Sequence, residues 1–526
     1  MTQSAFAVAL KARTIEILRE CLMSQAPTAI SSGNSRLDQV LGGGLTANRI
    51  YLLDGHPGSG KTTLGLQFLM DGILLGEKGL YVTLSETKSE LEAIADSHGW
   101  SLDGVCIHEL VDSGASFTVD SQYTMFEPSE IELGETTRNM LAQVEKLNPK
   151  RVVLDSLSEL RLLAQSALRY RRQILALKHF FVGRECTVIL LDDKTTPDQD
   201  LQLHSIAHGV ISLDCTTAEL GKERRRLRVV KFRGRQYLGG WHDFEIQRGG
   251  IEIYPRLSGQ HGGSAPPTKP LLSGNQSLDT LLGLGILPGT STLLLGPAGV
   301  GKSSCATLFA VTACLRGERA VIFTFDESRA TLIKRSEGLK MQVRMLEEQG
   351  ALEIFQVNPG DISPGRFTDM VRQAVERETN DQRTSVVVID SLNGYMSAMP
   401  EESHLQIQMH ELLFYLGSCG IATFLVVAQH GMLGSAMLTP IDTSYLADTV
   451  ILFRYFEANG EIRQAISVVK KRDGHHERTI REFCMVDGQI VVGKPLSEFR
   501  GILTGTPIYV GDKDALLLKK ENDDRR

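Results

Sequence analysis

The amino-acid sequence predicts an α/β protein of two tandem domains, each with a mostly parallel, twisted sheet that carries helices on both faces. Three observations support this fold class. The motif G-x-x-x-x-G-K-[ST] occurs twice, each time between an apolar run typical of a buried strand and a helical pattern. The sequence around the two motifs is repeated. The length of 526 residues exceeds what one hydrophobic core supports and suits two domains.

The two motifs hold equivalent positions in a long internal repeat. The first, GHPGSGKTT, covers residues 55–63, and the second, GPAGVGKSS, covers residues 296–304. The same offset of 241 positions aligns SGNSRLD at 32–38 with SGNQSLD at 273–279. This ungapped register indicates two copies of one fold and not merely two similar loops.

Composition predicts where the domains begin and end. We assign residues 1–254 to the first domain, with a short N-terminal extension, and residues 271–507 to the second. The stretch 255–270 is rich in Pro, Gly and Ser and is predicted to be a linker. The charged segment 508–526 is predicted to be a C-terminal tail.

The overall charge and the cysteine pattern limit the possible partners. A formal net charge of −7 and a pI near 6.1 disfavour DNA binding, which needs a basic surface. The eight cysteines are scattered without metal-type spacing, which fits a reducing compartment. The sequence shows neither a signal-peptide pattern nor an apolar run of membrane-spanning length. We therefore expect a cytoplasmic protein without a membrane partner.

Each glycine-rich loop is predicted to bind a nucleotide. Glycines let backbone N–H groups converge on phosphate oxygens, and the following helix directs its N-terminus at the same anion. Lys61 and Lys302 are expected to reach the β- and γ-phosphates, and Thr62 and Ser303 to hold Mg²⁺. The predicted nucleotide-binding residues are Gly55, Gly58, Ser59, Gly60, Lys61, Thr62 and Thr63 in the first copy and Gly296, Gly299, Val300, Gly301, Lys302, Ser303 and Ser304 in the second.

A second apolar strand in each copy ends in an aspartate. These strands are RVVLDS, with Asp155, and VVVIDS, with Asp390. In a parallel α/β sheet the carboxyl ends of the strands face the ligand crevice. We therefore expect Asp155 and Asp390 to bind Mg²⁺ through water.

A third strand in each copy is followed by a glutamate. Glu86 and Glu327 are separated by the same offset of 241 positions, and Ser85 in the first copy faces Asp326 in the second. A carboxylate at this place can orient or deprotonate an attacking hydroxyl, although an acid that caps a helix is the alternative. The predicted catalytic residues are Lys61, Glu86, Lys302, Asp326 and Glu327.

Basic residues lie near the end of each copy. Lys231 and Arg233 in RVVKFRG are two positions apart and share a strand face, as do Lys470 and Arg472 in SVVKKRDG. Because they are far along the sequence from their own loop, we expect them to reach a neighbouring subunit's γ-phosphate. Plain exposed strand charges are the alternative.

Together these motifs resemble the KaiC family of double RecA-type ATPases over nearly the whole chain. The resemblance includes SGNSRLDQVLGGGL at 32–45, both glycine-rich loops, VVKKRDGHHERTIREF at 468–483 and SEFRGILTGTP at 497–507. It implies ATP and Mg²⁺ as cofactors and a homohexameric double ring with ATP between subunits. It further implies an ATPase first domain, an autophosphorylating second domain, and KaiB-like or two-component signalling proteins as partners.

The family's phosphoacceptor region is only partly matched. Clock members carry adjacent Ser and Thr there, whereas this chain has Ser444 followed by Tyr445, and Thr439 matches a nearby family threonine. The resemblance therefore implies a single acceptor, Ser444, and a signalling ATPase without a full circadian oscillator. Two alternatives remain open: a RecA-type DNA-dependent recombinase or helicase, and a nucleotide-gated assembly scaffold.

Overall fold

A computed structural model describes most of the chain, and it divides the chain into two units, 1–256 and 257–526. Much of the predicted N-terminal extension and of the C-terminal tail lies outside the described residues. These are 28–110, 128–194, 201–217, 222–257, 269–377, 382–397, 405–429, 445–458, 460–486, 489–503 and 508–510.

The first unit alternates strands and helices up to its last three strands. Its elements are β1 (Ala29–Ile30), α1 (Ser35–Val40), β2 (Leu45–Thr46), β3 (Ile50–Gly55), α2 (Lys61–Leu74), β4 (Gly79–Thr83), α3 (Lys88–His98), β5 (Val105–Glu109), α4 (Pro128–Leu147), β6 (Arg151–Asp155), α5 (Leu157–Ala164), α6 (Ala167–Phe181), β7 (Thr187–Asp193), α7 (Leu201–Ile206), β8 (Gly209–Thr216), β9 (Arg224–Phe232), β10 (His242–Gln247) and β11 (Gly250–Tyr254).

The second unit follows the same pattern. Its elements are α8 (Gln276–Leu281), β12 (Ser291–Gly296), α9 (Lys302–Leu315), β13 (Arg319–Thr324), α10 (Arg329–Gly338), α11 (Val343–Glu348), β14 (Leu352–Gln356), α12 (Pro364–Glu376), β15 (Thr384–Asp390), α13 (Leu392–Ser397), α14 (Leu405–Ser418), β16 (Ala422–Ala428), β17 (Thr449–Ala458), β18 (Glu461–Lys471), β19 (Arg481–Val486), β20 (Gln489–Pro495), β21 (Phe499–Arg500) and β22 (Ile508–Tyr509).

Within the described residues each unit holds one nine-stranded sheet, and the two sheets share one strand order. The order is β11-β10-β9-β8-β3-β7-β6-β4-β5 in the first unit and β20-β19-β18-β17-β12-β16-β15-β13-β14 in the second. The strands from β8 to β5 pair in parallel, and β9, β10 and β11 extend the sheet antiparallel. The second sheet repeats this arrangement. The prediction of two tandem RecA-like α/β domains is confirmed.

Helices cover both faces of each sheet because the central strands are apolar on both sides. Along β3, Tyr51 and Leu53 belong to the core cluster that includes Phe68 of α2. Ile50 and Leu52, which point the other way, belong to the cluster that includes residues of α4, α5 and α6. Fully buried parallel strands of this kind are typical of doubly covered sheets.

The repeated SGN-x-x-LD motif builds the same turn before each domain's first long helix. The Asn34 side chain caps α1, and the backbone N–H of Ser32 donates to Asp38 at 2.8 Å. In the second unit Asn275 caps α8, and the backbone N–H of Ser273 donates to Asp279 at 2.7 Å. The side chains thus satisfy backbone groups that the short helices leave open. Among the described residues, no helix is both long and apolar enough to cross a membrane.

A buried arginine joins the helix after the first loop to strand β6. Arg151 is 1% exposed and forms ion pairs with Asp71 of α2 at 2.9 Å and with Glu77 at 2.6 Å. Its guanidinium also donates to the backbone carbonyl oxygens of Ser31 and Phe68. Because α2 begins at the first loop and β6 ends at a predicted metal ligand, this cluster holds two parts of the site together.

We expect Arg151→Met to destabilise the first unit by about 3 kcal/mol, since removing one partner of a buried ion pair leaves the other charges uncompensated. Both tryptophans, Trp100 and Trp241, lie in this unit, so urea unfolding followed by tryptophan fluorescence reports on it alone. Lys150→Met is the matched control, because Lys150 and Glu185 form an exposed pair worth under about 1 kcal/mol. Equal losses in the two variants would contradict the role of Arg151.

Candidate active sites

Each glycine-rich loop turns directly from a buried strand into a helix. The residues before the two lysines, Gly60 and Gly301, have φ angles of 96° and 101°, in the left-handed region that favours glycine. A Cβ on Gly301 would lie 2.6 Å from the Met485 side chain. The helices therefore start at Lys61 and Lys302, with their N-termini directed at the loops.

The first loop contains a lysine with several partners and a buried hydroxyl that has none among the described residues. Lys61 donates from Nζ to the carbonyl oxygens of Gly55 and His56, at 2.8 and 3.0 Å. The same Nζ forms an ion pair with Asp193 at 2.7 Å. Ser59 is buried, and its hydroxyl has no hydrogen-bond partner among the described residues. The site thus offers donors that a phosphate can accept from.

The second loop binds its lysine differently. Lys302 donates from Nζ to the carbonyl oxygen of Pro297 at 2.6 Å. Burial lowers the pKa of Lys302 to about 8, against the opposing effect of the nearby Asp390 carboxylate. The position that Asp193 holds beside the first loop is occupied in the second copy by Ala428, the residue paired with Gly296. Among the described residues Lys302 forms no ion pair like that of Lys61 with Asp193, so its ammonium group is suited to an incoming anion.

The predicted metal-binding residues come together in both copies. The hydroxyl of Thr62 donates to Asp155 at 3.4 Å, and Tyr81 donates to the same carboxylate. In the second copy, Ser303 and Asp390 line the same cavity, and the Ser303 hydroxyl acts to lower the pKa of Asp390. Burial raises the pKa of both aspartates, because the charged form of a carboxyl group is disfavoured away from water.

Glu86 lies between β4 and α3 beside the first loop. Thr87, and not Glu86, caps α3, so the helix-capping alternative does not describe this side chain. The Oε2 atom of Glu86 is buried and has no hydrogen-bond partner among the described residues. Burial, followed by the negative charge of Asp155, raises the pKa of Glu86 to about 7. A carboxyl with this pKa can exchange protons near neutral pH.

The acid pair of the second copy is held by specific partners. Asp326 accepts a hydrogen bond from the Ser391 hydroxyl. Glu327 forms a two-point ion pair with Arg335, from Nε to Oε1 at 3.2 Å and from Nη2 to Oε2 at 2.9 Å. Ser328, the next residue, caps α10. The two copies therefore share a backbone arrangement and differ in the electrostatics of their acids.

A cavity of about 570 Å³ opens at the second loop. Its lining includes Lys302 and Ser303 of the predicted phosphate-binding loop and the predicted acidic residues Glu327 and Asp390. Its volume is in the range of pockets that bind small ligands. Val300 is fully buried in the core, so only its backbone is available to a phosphate.

The predicted basic residues of the first copy do not lie beside their own loop. Lys231 pairs with Val210 of β8, which pairs with Leu52 of β3, three positions before the loop begins at Gly55. This is about 10 Å along the strand, on the side away from the loop. Arg233 lies farther still, and its Nη2 donates to the Ser205 carbonyl oxygen at 3.1 Å.

The second copy places its basic residues in the same way. Lys470 pairs with Val450, in register with Leu293 of β12, and donates to the carbonyl oxygen of Ala447 at 2.8 Å. Arg472 is exposed and forms an ion pair with Asp448 at 3.3 Å. Neither copy brings these side chains to its own loop.

The predicted acceptor Ser444 and Thr439 lie outside the described residues. Tyr445 is described, and its side chain is exposed, with its hydroxyl donating to the Gln406 amide oxygen at 3.2 Å.

Five residues close to the loops were missing from the sequence-based prediction. Asp193 and Arg225 touch the first loop or its lysine, Tyr81 binds the first metal candidate, Tyr455 donates to the carbonyl of the second loop's Ala298, and Arg335 binds Glu327. Only Asp193 carried a recognisable signal, an apolar strand that ends in acid. The others come from strands and helices whose approach to the loops depends on the tertiary fold.

The fold and the two sites define a P-loop NTPase with duplicated nucleotide-binding domains. A model of the KaiC ATPase family matches the chain twice, over residues 30–258 and 272–497. The chain belongs to the KaiC family.

Curated relatives cover nearly the full length of the chain. The circadian clock oscillator protein KaiC of Parathermosynechococcus lividus is 27% identical over 500 residues, 92% of this chain and 89% of the relative. The protein of the same name from Synechococcus elongatus is 27% identical over 91% of this chain and 92% of its own length. The circadian clock protein KaiC3 of Synechocystis is 26% identical over 92% of this chain and 95% of its own length.

Proposed function

We propose that this protein is a signalling ATPase whose first copy hydrolyses ATP and whose second copy phosphorylates its own Ser444. The observation that carries the proposal is the Glu86 carboxyl beside the first loop, with one oxygen buried and unpaired and a pKa raised to about 7. A general base is most effective when its pKa lies near the working pH.

The residues of both loops fit the triphosphate of ATP. In the first loop the unpaired Ser59 hydroxyl and the Lys61 ammonium group are donors that a phosphate would engage. In the second, Lys302 lines a cavity large enough for a nucleotide. Binding at the first loop requires Lys61 to exchange its ion pair with Asp193 for the phosphates, so Asp193 competes with the substrate.

Two pairs of residues would hold Mg²⁺, namely Thr62 with Asp155 and Ser303 with Asp390. Hydroxyl and carboxylate oxygens are the ligands this cation prefers. When bound, Mg²⁺ would neutralise charge on the β- and γ-phosphates.

Hydrolysis in the first copy requires a base that accepts one proton from water. The water oxygen attacks the γ-phosphorus while the bond from that phosphorus to the β–γ bridging oxygen breaks, and the electron pair leaves with ADP. Glu86 accepts the water proton and later releases it to solvent. Lys61 stabilises the negative charge that develops on the phosphate oxygens.

We expect Glu86→Gln to lower ATP turnover at least about a hundredfold, because a general base contributes two to four orders of magnitude. The measurement uses a Lys302→Ala background, so that phosphate release comes from the first copy. Below pH 7, kcat/KM of the parent should fall about tenfold per pH unit as Glu86 is protonated, and the variant should lose this dependence. Glu92→Gln is the control, because it removes an exposed carboxylate from α3, the helix that follows Glu86. Unchanged turnover in Glu86→Gln would refute the assignment.

In the second copy the attacking group is the Ser444 hydroxyl. Its oxygen forms a bond to the γ-phosphorus, ADP leaves, and Asp326 or Glu327 accepts the hydroxyl proton. Asp326 is one methylene shorter than the glutamate usual in the family, which places its carboxylate farther from an acceptor hydroxyl.

We expect phosphorylation on Ser444 and not on Tyr445, because the tyrosyl oxygen lies several bonds farther from the backbone than the seryl oxygen. Incubation with ATP and Mg²⁺ followed by peptide mass spectrometry identifies the site. Ser444→Ala should abolish the modification, and Tyr445→Phe should leave it intact. Phosphate on Tyr445 alone, or none in residues 439–449, would leave an ATPase without autokinase activity.

A ring of subunits accounts for the position of the basic strand residues. Lys231 and Arg233 lie about 10 Å or more along the strand from their own loop, as described above. The nucleotide that these side chains can contact is therefore one bound at the loop of a neighbouring subunit. We propose a homohexamer in which these residues, with Lys470 and Arg472 in the second copy, reach the neighbouring subunit's nucleotide.

We expect assembly of the ring to depend on nucleotide, because the phosphates join two subunit faces. Lys61→Ala should weaken the hexamer more than Lys302→Ala, since the first domain is proposed to hold the ring together. Analytical ultracentrifugation with and without ATP measures both effects. Stable hexamers of both variants without nucleotide would contradict this assembly.

A further inference from the structure

The two copies differ at one position on the helix that follows the catalytic acids. Arg335 lies on α10, eight residues after Glu327, and the same offset of 241 positions places Ile94 on α3, eight residues after Glu86. Both helices begin at equivalent caps, Thr87 and Ser328, so the two side chains have equivalent positions on their helices. The duplication therefore supplies an internal control for the effect of the arginine.

The Arg335 guanidinium occupies both oxygens of the Glu327 carboxylate. The two contacts, described above, form the parallel two-point geometry that makes arginine–carboxylate pairs strong. The remaining nitrogen, Nη1, donates to the Ser304 hydroxyl in the second loop's helix at 2.8 Å. The arginine is thus anchored at both ends, with only about a quarter of its side chain exposed.

This arrangement changes what Glu327 can do. A carboxylate whose two oxygens both accept from a cation must give up part of that pair before it accepts a proton from water. Within the part of the chain that the structure describes, Glu86 has no such partner: Ile94 packs against the apolar core of the first unit, and the buried Oε2 has no hydrogen-bond partner. The same glutamate is therefore available as a base in one copy and tethered in the other.

The pair also lies at the place where the chemistry would occur. Arg335 and Glu327 line the cavity of the second loop together with Lys302, Asp326 and Asp390. The arginine therefore acts within the site and not at a distant surface.

We propose that Arg335 is a positioning residue that holds Glu327 away from the attacking water and so makes the second site retain ATP as a phosphoryl donor. This inference rests on the proposed function, because it takes Glu86 to be the hydrolytic base of the first copy. The second site then hydrolyses ATP slowly until an acceptor hydroxyl enters the site. Asp326 accepts the proton of that hydroxyl.

The test replaces Arg335 with the residue of the first copy. In a Glu86→Gln background, Arg335→Ile should raise phosphate release by about tenfold or more, since it makes a base available. The gain should appear in kcat with KM for ATP little changed. Lys334→Ala, which removes an exposed positive charge from the same helix, is the matched control and should give no gain.

A second substitution shows whether the gain comes from Glu327. Adding Glu327→Gln to the Arg335→Ile variant should abolish the increase, whereas a change in packing alone would survive it. Arg335→Lys, which can make only a single-point pair, should give an intermediate rate.

A nucleotide-free measurement separates this inference from the proposed function. Carboxyl labelling with a carbodiimide and an amine, followed by peptide mass spectrometry, should modify Glu327 several-fold more in Arg335→Ile than in the parent protein. Labelling of Glu86 should not change and serves as the internal reference. If Glu86→Gln fails to lower first-copy turnover, the proposed hydrolysis is wrong, while the labelling result still reports the tether.

Equal labelling of Glu327 in both proteins would overturn the tether itself. No gain in turnover from Arg335→Ile, with ATP binding retained in equilibrium dialysis, would overturn its effect on hydrolysis. A gain that persists after Glu327→Gln would assign the effect to another group and refute the role given to Arg335.

Discussion

The parallel pairing of the loop-bearing strand with its neighbours determines where the charged groups of each site lie. β3 lies between β7 and β8, and β12 lies between β16 and β17, so several carboxyl ends meet at one edge of each sheet. At that edge Gly55 is in register with Asp193, which explains how Asp193 reaches the first lysine. The same parallel order sends Lys231 toward the other end of the sheet, because β9 returns antiparallel to β8.

One scaffold thus carries two electrostatically different sites. In the first site Asp193 forms an ion pair with the loop lysine, and one buried oxygen of Glu86 has no hydrogen-bond partner among the described residues. Burial raises the pKa of Glu86. In the second site Ala428 stands at the position of Asp193, and the glutamate Glu327 forms an ion pair with Arg335. A few side chains on equivalent elements reverse which charged group has a partner, and the proposed division between hydrolysis and phosphoryl storage rests on this difference.

The loops, the strand-end aspartates and the position of the glutamates could be predicted because each depends on local rules. A left-handed glycine before a helix, a buried apolar run and an acid at its end are visible in short stretches of sequence. Arg335 could not be predicted in the same way, because α10 carries charged residues that look like an ordinary solvated face. Its significance depends on the tertiary contact between Arg335 of α10 and Ser304 in the first turn of α9.

The sequence by itself determined the duplication and the fold class, and it predicted the phosphate-binding residues. These follow from periodicity and from chemistry that requires particular residues at fixed spacing. Only the tertiary structure decided which partner each charge has, since ion pairs such as Lys61 with Asp193 join residues far apart in the chain. Electrostatic interactions fall off over a few ångströms of protein interior, so the availability of each catalytic group depends on packing that no local pattern encodes.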